Sequence, residues 1–75
     1  MKAAQQELEK RRARILKEVC TVFQSTEGIW RSMDAGRTSR GLGLQQLISN
    51  RERLIVLSRQ EREIYCELRK LEEPA

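Results

Sequence analysis

Leu47, Leu54 and Leu68, interleaved with Leu57, Ile64 and Leu71, recur at alternating three- and four-residue steps through the last third of the chain. Such a heptad seam buries apolar side chains only against another helix. The stretch must therefore dock on a partner, which is either the chain's own first half or a different molecule. This periodicity defines an interaction element before any chemistry enters.

Length sharpens the constraint. At 75 residues, 35% of them charged, the chain holds one domain at most, near the size at which a single core stops being self-sufficient. One Trp, one Tyr and one Phe supply little aromatic area. At roughly 25 cal/mol per Å², so thin a seam barely offsets the entropy of ordering the chain. A marginal isolated chain is expected, with help from a partner.

No stretch approaches the ~20 apolar residues of a membrane span, and Met1 to Glu7 lacks the apolar core of a signal peptide. A soluble cytoplasmic protein without a membrane partner is expected. Cys20 and Cys66 fit no metal spacing and read as reduced, half-buried small hydrophobes. The formal charge of +4 is uneven: residues 1–33 are net +3, 34–43 net +1 and 44–75 neutral. Attraction to an acidic surface would act through the first half and the connector.

From Lys2 to about Met33, Ala4, Leu8, Ile15, Val19, Val22, Ile29 and Met33 share one helical face, which Leu16, Phe23 and Trp30 broaden. A helix over about 2–33 follows. Arg11 and Arg12 interrupt the stripe, and Ser25-Thr26-Glu27-Gly28 strings together weak helix formers, so a kink near 25–28 is expected, with Ser25 as an alternative cap. Residues 34–43 carry three glycines and no apolar period and form the connector, in which Gly36 is placed to end the first helix and Ser39 to cap the next. The second helix runs over about 44–72, and Pro74 closes the chain. Glu7–Arg11 and Glu27–Arg31 are helix-supporting pairs four residues apart.

If the chain folds back about residue 38, opposed positions sum to about 76, which sets Leu8 against Leu68, Val19 against Leu57, Val22 against Leu54 and Ile29 against Leu47. The same register brings Thr26 opposite Asn50 and Glu61 near Arg12, so the polar defects of the two seams meet. The expected fold is all-α: two long helices joined by a connector containing Gly and Arg. A hairpin and an extended form laid along a partner are both compatible with it.

No His is present, which removes the commonest general base and zinc ligand. Gly36, Gly41 and Gly43 form neither a Walker nor a dinucleotide pattern. A non-enzyme without cofactor, metal or small-molecule substrate is expected. Lys10, Arg11, Arg12, Arg14 and Lys17 form a basic run that could neutralise phosphates, but Glu7, Glu9 and Glu18 bracket it and stacking platforms are few. Nucleic acid is thus the weaker partner class, beside a coiled-coil adaptor. Trp30 is either the plug at the closed end of a hairpin or an anchor for a partner. Tyr65 beside the seam, with Arg37 and Arg40 in the connector, completes the candidate contact set.

Arg51, Leu54, Leu57, Glu61 and Tyr65, followed by Glu67-Leu68, together with the upstream Trp30 and the Gly/Arg loop to Arg40, give this chain a further aspect. The segment resembles the C-terminal helix of small cilia- and flagella-associated proteins that line the lumen of axonemal doublet microtubules. That resemblance covers about half of the chain. It implies an architectural, ligand-free helical staple in the cytoskeleton of the cilium or flagellum, contacting tubulin and neighbouring axonemal proteins.

Overall fold

The computed structural model describes residues 2–72, and the closing role given to Pro74 lies outside them. Two helices, α1 (Lys2–Asp34) and α2 (Arg40–Glu72), fold against each other as an all-α helical hairpin. The molecule is a rod of 58 × 15 × 12 Å, of which each 33-residue helix spans about 50 Å at about 1.5 Å per residue. The chain folds back on itself rather than extending.

The turn is built from local chemistry. Arg37 N–H donates to Ser32 C=O at 2.9 Å and Gly36 N–H to Met33 C=O at 3.0 Å, the paired bonds of a Schellman motif around Gly36 at φ 72°. The Ser32 and Thr38 hydroxyls bond across the turn at 2.6 Å. Ser39 then caps α2, its Oγ accepting from Leu42 N–H at 3.3 Å. The connector shortens to residues 35–39, because the Ser39 cap lets Arg40 to Gly43 join the helix despite two glycines.

α1 runs as one continuous helix through 25–28, without the break that the weak helix formers from Ser25 to Gly28 left open. Thr26 Oγ1 donates to Val22 C=O at 2.9 Å, which satisfies the hydroxyl without opening the helix. The Glu27–Arg31 pair at 2.6 Å spans Gly28. Seam packing on both sides outweighs the propensity cost of that short stretch.

The inward residues of α1 are Leu8, Arg12, Ile15, Val19, Val22, Thr26, Ile29 and Met33, all half-buried. Ala4 is exposed, and Gln5 takes its place one residue further on. On α2 the inward row is Gly43, Leu47, Asn50, Leu54, Leu57, Glu61, Ile64 and Leu68. Leu57, Ile64 and Leu68 are its buried hydrophobic side chains, at 1%, 5% and 8% exposure, whereas Leu71 at 45% falls outside the seam. Opposite the latter in this register stands Gln5, which offers no apolar surface to cover it.

Polar contacts confirm the register. Asn50 Nδ2 donates to Thr26 Oγ1 and to Ser25 Oγ, each at 3.2 Å, and Arg12 Nε donates to Glu61 Oε1 at 3.1 Å. At the closed end, a Cβ on Gly43 would lie 2.2 Å from Met33 Sδ. Met33 resting on a bare glycine plugs that end, so the helices converge there and Trp30 is not the plug.

Candidate functional site

The two flanks of the seam differ in chemistry. In an antiparallel pair, residues that precede one inward row meet on one side, and residues that follow the other inward row meet on the opposite side. Glu18 and Arg53, one residue before Val19 and Leu54, bond at 2.5 Å and mark the first flank. A shallow cleft of about 480 Å³ lies on it, rimmed by Arg11, Arg14, Glu63 and Glu67 over Leu8 and Ile64. This flank is charged and internally compensated.

The second flank is apolar. Leu16, Phe23 and Trp30, seven residues apart and each one residue after an inward side chain, are 46%, 57% and 50% exposed. On α2, Leu44 and Tyr65 follow the inward Gly43 and Ile64 in the same way, and Ile48 and Ile55 lie one turn from that row. All four are exposed. Seven large apolar side chains therefore line one side of a rod in which three hydrophobic residues of the described chain are buried. The apolar side chains on this flank thus outnumber those the interior buries.

Trp30 and Tyr65 from the predicted contact set share this flank. Arg37 and Arg40 do not, being exposed at the turn. The basic run is split as well: Arg12 points inward to Glu61, while Lys10, Arg11, Arg14 and Lys17 stay outside. Cys20 and Cys66 are both exposed, where half-burial was expected. Sequence reasoning placed Leu16 and Phe23 at the edge of the first stripe and passed over Leu44, Ile48 and Ile55. Their signal was a second three-four repeat, offset by one residue from the first.

Among the described residues no group of three His, Cys, Asp or Glu side chains comes together, and no helix is long and apolar enough to cross a membrane. The fold and surface define an antiparallel two-helix coiled-coil hairpin. No protein-family model, curated protein or solved structure matches this chain.

Proposed function

We propose that this protein is a non-catalytic structural subunit that works docked within a larger assembly. The observation that carries this reading is the apolar flank from Leu16 to Trp30 and from Leu44 to Tyr65, set beside an interior too thin to hold the hairpin alone. The assembly that best fits is the ciliary or flagellar axoneme, on the strength of the Arg51-to-Leu68 resemblance. Tubulin and neighbouring proteins are then the partners, with the exposed Lys10, Arg11, Arg14, Lys17, Arg37 and Arg40 facing their acidic surfaces. Arg12 and Arg53 are taken up by contacts with Glu61 and Glu18 inside the hairpin, which leaves the phosphate-binding alternative fewer free cations.

Imaging the tagged chain in ciliated cells tests the assembly. Signal along the axoneme is expected, and a purely cytoplasmic or centrosomal distribution would remove the axonemal reading. Titration against duplex DNA and RNA at low salt tests the alternative, with no binding expected.

A further inference from the structure

The two helices of the apolar flank carry opposite charges, and we propose that a second copy of this chain covers it, giving a two-fold bundle of four helices. The inference rests on reading this flank as a docking surface. It adds the occupant.

Between residues 9 and 30, the α1 part of the flank follows a strict three-four repeat in which the charged members are Glu9 and Glu27. Between residues 44 and 69, the α2 part follows the same repeat, and its charged members are Arg51, Arg62 and Arg69. Within these spans α1 thus offers only acids and α2 only bases, and Glu72, the next position of the α2 repeat, lies beyond the last pair. A two-fold axis running along the hairpin lays α1 of each copy antiparallel on α2 of its partner, so every contact occurs twice. It also preserves height along the rod, which matches positions close to the hairpin's own register.

With opposed residues summing to 78, Glu9 meets Arg69 and Glu27 meets Arg51. The same alignment sets Phe23 against Ile55, Trp30 against Ile48 and the small Ala13 against the large Tyr65. Both acids find a base, and Phe23, Trp30 and Tyr65 find apolar or small partners, while Leu16 falls against the aliphatic stem of Arg62. Glu27, paired along its own helix with Arg31 at 2.6 Å and 63% exposed, is free to exchange that solvated contact for one across the interface. The axis puts both turns at one end of the bundle. Lys10, Arg14 and Lys17 stay on the outside, available to the larger assembly.

Sedimentation of the full chain across a range of micromolar concentrations should show a monomer–dimer equilibrium. Glu27→Arg should raise the dimer dissociation constant about tenfold or more, because both symmetry-related pairs become repulsive. Adding Arg51→Glu should restore it. Recovery by the double charge exchange separates interface repair from simple damage to the helix. Loss without recovery overturns the pairing.

Spin labels at Arg37→Cys, in a Cys20→Ser/Cys66→Ser background, should report turn-to-turn distances below about 25 Å; about 50 Å would mean turns at opposite ends and would also overturn it. A strict monomer at 100-fold above the range where partner binding is seen sinks the dimer alone. The axonemal reading stands or falls separately, on localisation.

Discussion

Individual glycines show how the same residue type serves opposite ends in one hairpin. Gly36, at φ 72°, sits in a backbone region that costs side chains bearing a Cβ about 1–2 kcal/mol, whereas Gly28 lies inside α1 with nothing within 4 Å of a would-be Cβ. Gly36→Ala should therefore destabilise the hairpin by about 1 kcal/mol, and Gly28→Ala should stabilise it by a similar amount. Urea unfolding followed by circular dichroism at fixed protein concentration measures both, and equal signs would refute the assignment. Gly36 was legible in the sequence because a turn chemistry demands it. The continuity of α1 across Gly28 was not, because it depends on seam packing on both sides of that residue, including the Thr26–Asn50 contact across to α2.

Between elements, register is decided by one polar layer. Thr26, Asn50 and Ser25 satisfy one another at 3.2 Å inside an otherwise apolar stretch, so a slip of one heptad would strand Asn50 against Val19 or Met33. Thr26→Val should cost about 1 kcal/mol by leaving Asn50 with Ser25 alone. The pair Thr26→Val/Asn50→Leu should recover that loss, because both polar partners vanish together. A coupling below about 0.5 kcal/mol in the double-mutant cycle would show that the layer does not act as a unit. The Arg12–Glu61 pair matters less for stability, since at 41% and 29% side-chain exposure water screens most of its attraction. Thr26–Asn50 and Arg12–Glu61 were both legible as matched defects, since a polar residue in each seam carries information that repeating leucines do not.

For the molecule as a whole, stability hangs on few side chains. Leu57 at 1% exposure is the most deeply buried, and its replacement by Ala should cost about 2–5 kcal/mol, enough to leave a two-helix fold largely unfolded at room temperature. Circular dichroism reads this directly, and a Leu57→Ala chain that keeps its helicity and melting point would contradict the account. The wild-type melting temperature should climb with protein concentration or on adding a docking partner, since folding and association share the same apolar surface. A high melting point independent of concentration would count against partner dependence.

By itself the sequence determined two helices and the turn between them and offered a register for closing them, because heptad spacing, a helix-ending glycine and paired polar defects are all written in short-range order; that the hairpin closes, rather than lying extended along a partner, came from the fold. Only the tertiary structure decided which apolar residues lie outside. Leu16, Phe23 and Trp30 become one surface with Leu44, Ile48, Ile55 and Tyr65 when antiparallel packing carries two distant rows to the same flank. Periodicity along one helix measures angle about that helix alone. It cannot tell which of two adjacent stripes will face the partner until both helices are in place.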